Sequence, residues 1–145
     1  MGRGILAIMT LVALAGSWTW PAASLADEQK PYTVECASDA TNASQCKVDK
    51  ATYVGWRTFH GFCYQCHAQD AVGSTFAPSL VERLKDVDHE RFLHSVAEGY
   101  KGQIGVMPPW KENPNVSKHY EDLYGYLKAR SDGVLPPGKP ARLSN

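Results

Sequence analysis

Cys63-Tyr64-Gln65-Cys66-His67 is the stretch from which the rest of this chain is best read. Two thiols separated by two residues reach the two vinyl groups of one haem, and the histidine that follows directly is placed under the iron as its proximal ligand. A thioredoxin-like reading of the same CxxC needs a βαβ setting, and a zinc reading needs further ligand pairs at regular spacing. The sequence carries neither pattern, and no second CxxCH, so one covalent haem per chain is expected.

Towards the N-terminus, Arg3 precedes an apolar run over residues 5–15, and Ser24-Leu25-Ala26 offers small residues where a signal peptidase reads. Residues 1–26 are therefore read as a signal peptide. Their apolar run is shorter than the roughly 20 residues that span a bilayer, and nothing later is apolar enough to do so. The mature chain would have 145 − 26 = 119 residues, enough for one small domain around one core, delivered to the oxidising periplasm. Losing Arg3 leaves 15 − 1 = 14 basic against 15 acidic side chains. That balance and the lack of a basic stripe exclude nucleic acid as a partner class and make long-range charge steering weak.

Cys36 and Cys46 remain after the haem pair is assigned. An even pair in an exported chain is expected to form a disulfide, here closing the polar stretch 37–45 within an N-terminal extension, residues 27–50.

From about Ala51 the apolar spacing becomes helical, with Val54, Phe59 and Phe62 on one side. Residues 73–78 hold Gly73, Ser74, Thr75 and Pro78 and read as a loop. Asp88 is a candidate N-cap for a helix ending at Glu98, with Phe92, Leu93, Val96 and Ala97 buried and Gly99 just beyond. A loop over 102–115 follows. A last helix is expected over 117–130, where Tyr120, Leu123, Tyr124 and Leu127 recur at helical spacing. The Pro/Gly-rich tail, residues 134–145, is expected to run extended over the surface. With no alternating strand in view, the expectation is an all-α fold, one domain over 51–133 with its helices wrapped around the haem.

Iron has a second axial position. Met1 and Met9 leave with the signal peptide, so Met107 is the remaining thioether, held in a loop by Pro108-Pro109. Met/His ligation suits electron transfer. The rivals are His60, His89, His94 and His119, of which His94 lies nearest an apolar helix side; an open sixth position would instead make the protein a haem sensor or enzyme. The proximal ring needs its other nitrogen held, and Pro78 supplies a carbonyl without a competing N–H. Trp110, beside the Met107 loop, is read as a haem-pocket residue, and Trp56 as core or haem contact.

Gly55-x-x-x-Phe59, the haem motif, Ala77-Pro78-Ser79-Leu80, Met107-Pro108-Pro109 and Asp122-Leu123-x-x-Tyr126-Leu127-Lys128 occur in an order that resembles the class I cytochromes c, over about residues 51–130. The resemblance implies that Gly55 and Phe59 let the first helix cross the last near Leu123 and Tyr126, and that the haem-binding set is Cys63, Cys66, His67, Pro78, Met107 and Trp110, with His67 and Met107 on iron. It implies an electron carrier with no catalytic residues.

A narrower set, Tyr53-x-Gly55-Trp56-Arg57-Thr58-Phe59-His60, Gly73-Ser74-Thr75-Phe76-Ala77-Pro78-Ser79-Leu80 and Pro114-Asn115-Val116 with Asp122-Leu123-Tyr124-x-Tyr126-Leu127-Lys128-Ala129-Arg130-x-Asp132-Gly133, is similar to the methanol-metabolism-related cytochromes c. These accept electrons from quinoprotein (PQQ-dependent) alcohol dehydrogenases. That likeness implies such a dehydrogenase as donor and a downstream cytochrome or terminal oxidase as acceptor; the competing role is a cytochrome subunit of another periplasmic oxidoreductase. The chain departs from the pattern at Ala68-Gln69-Asp70, where many relatives carry glycine first, and in the Cys36/Cys46 pair.

Overall fold

The computed structural model describes residues 30–144; the segment read as a signal peptide lies outside them. Helix α1 (Lys50–Phe62) starts at Asp49, whose carboxylate accepts from the Thr52 amide at 2.9 Å, the Thr52 hydroxyl at 2.7 Å and the Thr33 amide at 2.5 Å. Burial alone raises the Asp49 pKa, but the bonds from Thr52 and Thr33 outweigh it and hold the carboxyl below its ordinary range. One side chain thus caps the first helix and ties the N-terminal segment to it.

The haem motif follows α1 without a gap: Cys63 caps it, and a single turn, α2 (Tyr64–His67), carries the histidine. Ser79 caps α3 (Leu80–Arg83). Asp88 caps α4 (His89–Glu98) by accepting from the Arg91 amide at 2.8 Å. Gly99 ends α4 at φ +81°, and a Cβ there would stand 2.7 Å from the Met107 carbonyl oxygen. Both ends of α4 therefore fall where cap and breaker residues put them.

The last helix, expected over 117–130, starts three residues later, and a short helical turn precedes it, largely within the stretch read as loop. Asn113 and Pro114 start a separate short turn, α5 (Pro114–Ser117), and the chain bends at Lys118 and His119 before α6 (Tyr120–Ser131) begins. Proline at the first helical position favours a start of its own, which a reading by apolar period alone overlooks.

Helices α1 and α6 cross at Gly55, where an added Cβ would lie 1.9 Å from the Asp122 carbonyl oxygen and 2.9 Å from the Tyr126 Cβ. Phe59 packs against Tyr126 with the rings tilted and their centroids 5.7 Å apart. The core grows around that crossing from Phe59, Leu123, Tyr126 and Leu127, with Phe92 and Val96 of α4 and Val116 of α5.

The expectation of an all-α fold is corrected by short strands among the described residues. β1 (Val34–Cys36) pairs antiparallel with β2 (Cys46–Val48), placing Cys36 opposite Cys46, and a disulfide joins them. Near the other terminus, β5 (Ala141–Arg142) adds to β2 in parallel. A hairpin of β3 (Tyr100–Lys101) and β4 (Val106–Met107) lies in the stretch read as loop. Strands of two or three residues are too short for an alternating pattern to register. The tail also differs from expectation, because Leu135 and Pro140 are buried, and the Ala43 amide donates to the Pro137 carbonyl at 2.7 Å. Among the described residues, no helix is long and apolar enough to cross a membrane.

Candidate haem site

His67 is buried, and its Nδ1 lies 2.9 Å from the Pro78 carbonyl oxygen. Burial lowers the imidazole pKa and the Pro78 bond opposes this only in part, so the net direction is down and the ring is neutral. With Nδ1 protonated and donating to Pro78, Nε2 keeps its lone pair for a metal. The backbone around the ring is also tied: the Gly73 amide donates to the His67 carbonyl at 2.9 Å, and the Ser74 hydroxyl donates to the Cys66 carbonyl. The Ser74 amide in turn donates to the Ala77 carbonyl at 2.8 Å. Loop 73–78 is thereby a folded bracket that brings the Pro78 carbonyl back to the histidine.

Cys63 and Cys66 are both unbonded, the first half-buried and the second exposed. Burial, with a smaller contribution from Cys66, pushes the Cys63 thiol up to about 12. A redox-active CxxC needs a depressed thiol pKa, the opposite of what the Cys63 surroundings produce.

Met107 lies in β4, half-buried and packed against the core cluster. The tip of its hairpin leans on the bracket loop, since a Cβ on Gly105 would stand 2.6 Å from the Phe76 carbonyl oxygen. Trp110 is anchored by its amide to the Val96 and Ala97 carbonyls at 3.1 and 3.2 Å, and its ring meets Phe62 edge-on at 5.9 Å. It therefore links the Met107 segment to the residue before Cys63. Trp56 is elsewhere, beside His60 and with the Lys139 ammonium 5.7 Å above its ring.

The four other histidines have other surroundings. His60 Nδ1 donates to the Trp56 carbonyl at 2.8 Å, while its Nε2 faces Asp70 at 3.9 Å. His89 pairs with Glu121 at 2.7 Å and His119 with Asp122 at 2.8 Å. His94, the strongest rival by sequence, is exposed on α4.

Large apolar side chains stand exposed on the two segments that flank these groups: Val72 and Phe76 before Pro78, and Tyr100, Ile104 and Val106 before Met107. Phe76 is 70 % exposed and Val106 72 %. Such a concentration of open apolar surface marks a ligand or partner. A flat apolar macrocycle fits this edge, with two thiols, an oriented imidazole and a thioether supplied from the segments around it.

Sequence reasoning missed the turn that leaves His67. Ala68, Asp70 and Ala71 adopt positive φ, and Asp70 meets Arg130 of α6 and Gly138 of the tail. The one available signal was the alanine standing where many relatives carry glycine.

Comparison with known proteins identifies the family. Residues 51–127 match the family described as Cytochrome C oxidase, cbb3-type, subunit III. Cytochrome c-555 of Methylococcus capsulatus is 36% identical over 101 residues, covering 69% of this chain and 79% of that protein. Cytochrome c-553I of Paracoccus denitrificans is 37% identical over 116 residues, covering 77% of this chain but 51% of the relative, so the chain spans about half the length of that protein. The crystal structure of the c-type cytochrome XoxG from Methylobacterium extorquens AM1 superposes with a TM-score of 0.64 at 40% identity, over 68% of this chain and 62% of that one. The chain belongs to the c-type cytochromes, the family defined by covalently bound haem c.

Proposed function

We propose that this protein is a periplasmic one-electron carrier that accepts electrons from a PQQ-dependent alcohol dehydrogenase of the methanol-oxidising type. It passes them to a downstream cytochrome or terminal oxidase. The observation that carries the site assignment is the 2.9 Å bond from His67 Nδ1 to the Pro78 carbonyl, which leaves Nε2 free beside two unbonded thiols.

In this reading Cys63 and Cys66 form the two thioether links, His67 Nε2 is the proximal ligand and Met107 the distal one, and Trp110 lines the pocket. When bound, haem c supplies one-electron chemistry at its iron. Pro78 orients the His67 ring and raises its basicity. The bracket loop and the β3–β4 hairpin keep water from the ligands, while Val72, Phe76, Ile104 and Val106 offer an apolar rim for the partner.

The dehydrogenase assignment is supported by the likeness of the first helix, the Ser-Thr-Phe-Ala-Pro loop and the last helix to the methanol-metabolism-related cytochromes c. A subunit role in an oxidase assembly is the second reading, favoured by the description of the matching family. Mixing the oxidised holoprotein with substrate-reduced methanol or ethanol dehydrogenase tests the first: rapid appearance of the reduced spectrum, saturating with dehydrogenase concentration, is expected. Failure of every such dehydrogenase, with stable co-purification with oxidase subunits, would establish the second instead.

A further inference from the structure

We propose that Arg130 is a positioning residue for the proximal histidine, acting by clamping a strained left-handed turn that leaves His67. The turn is unusual in its residues. Ala68 sits at φ 60°, ψ 168°, a region nearly exclusive to glycine, and Asp70 at φ 59°, ψ 19° and Ala71 at φ 65° follow it. The alanines at 68 and 71 disfavour these conformations, while Asp70 is of a type that tolerates its left-handed one, so something outside the turn has to hold Ala68 and Ala71 there.

Arg130 is the group placed to do so. Its guanidinium is buried, at 7 % exposure, and its Nε and Nη2 point at the Asp70 carbonyl oxygen at 3.4 and 3.3 Å. Its Nη1 donates to the Leu135 carbonyl at 2.5 Å. A buried charge is costly unless its donors are satisfied, and here they go to two main-chain carbonyls from different parts of the chain. The tail completes the grip, since the Gly138 amide donates to Asp70 Oδ1 at 2.9 Å. The turn closes when the Gly73 amide returns to the His67 carbonyl at 2.9 Å. His67 is thus held at its ring by Pro78 and along its outgoing backbone by Arg130. Without the clamp, Ala68, Asp70 and Ala71 relax towards negative φ and carry the histidine with them.

The inference rests on His67 being the proximal ligand, and a double-mutant cycle on the full-length holoprotein tests it. Arg130→Gln is expected to shift the midpoint potential and the thermal midpoint together. Ala68→Gly, which removes the strain at its worst position, is expected to raise the thermal midpoint with the potential unchanged. In the Ala68→Gly background the potential shift caused by Arg130→Gln should fall to less than about half, because a relaxed turn no longer depends on the clamp. Equal shifts in the two backgrounds, or a lowered thermal midpoint with no change in potential, would overturn the proposal.

If Arg130→Gln does not fold, Arg130→Lys serves, since it keeps the charge but cannot span two carbonyls. A shifted potential rescued by Ala68→Gly supports the clamp; an unshifted one assigns the effect to charge and overturns it. Failure of the ligand reading itself is separately visible, as a His67→Ala holoprotein with unaltered spectrum and potential.

Discussion

Gly55→Ala sets two well-understood effects against each other. In an open helix interior, alanine is favoured over glycine by about 1 kcal/mol, so propensity alone predicts a more stable protein. At position 55, however, the new Cβ would lie 1.9 Å from the Asp122 carbonyl oxygen, 2.5 Å from its carbon and 2.9 Å from the Tyr126 Cβ. Ordinary contact requires α1 and α6 to separate by roughly 1.5 Å, which loosens Phe59 from Tyr126. Backbone cannot step aside as a flexible side chain can, so overpacking reaches the upper end of its range, about 3 kcal/mol. The net is a loss of about 2 kcal/mol, or a Tm lower by about 6–10 °C in a domain of this size. Gly61 supplies the control from the same helix, because an added Cβ there meets nothing within 4 Å. Gly61→Ala should therefore raise Tm, by about 5 °C at most. Thermal unfolding of the oxidised holoproteins by far-ultraviolet circular dichroism, at one pH, measures both. If Gly55→Ala is as stable as the unmutated protein, the close crossing at Gly55 is wrong.

Met107→Ala should abolish the weak red-end absorption of an iron–thioether bond and lower the potential; unchanged values would move the distal ligand to a histidine. Replacing Cys36 and Cys46 together by serine should cost about 3 kcal/mol on chain-entropy grounds and leave the haem spectrum unaltered, as equilibrium denaturation and absorption would show. Asp49→Ala should cost about 1 kcal/mol at neutral pH. Because the folded-state pKa of Asp49 is depressed, its stabilisation is complete above the ordinary carboxylate range and disappears as pH falls through the depressed value, so the two unfolding curves should converge in acid. Residues 71–81 and 102–110 contain no ionisable side chain, so the rate of reduction by the dehydrogenase should change by less than about twofold between low and physiological salt; a steep dependence would place docking elsewhere.

What could be read in advance was what neighbouring residues decide among themselves. Asp88 and Gly99 bound α4 because a carboxylate satisfies the first free amides of a helix and glycine accepts the turn that ends one. Pro78 was legible as the carbonyl for His67 because proline offers an acceptor and no donor. The sheet was not legible: β2 becomes a strand through a disulfide partner ten residues away and through β5, whose two residues carry no pattern of their own. Leu135 likewise looks like one apolar residue in a Pro/Gly-rich tail until the carbonyl it presents to Arg130 is seen. The Ala68 turn shows the limit most sharply. Alanine in place of glycine suggests that the backbone has abandoned its left-handed path, since the local preference runs that way. It has not, because a guanidinium 60 residues further along the chain holds the Asp70 carbonyl in place. The conformation at such a position is decided by the balance between a local strain and a distant bond, and only the first of these is written in the residues that carry it.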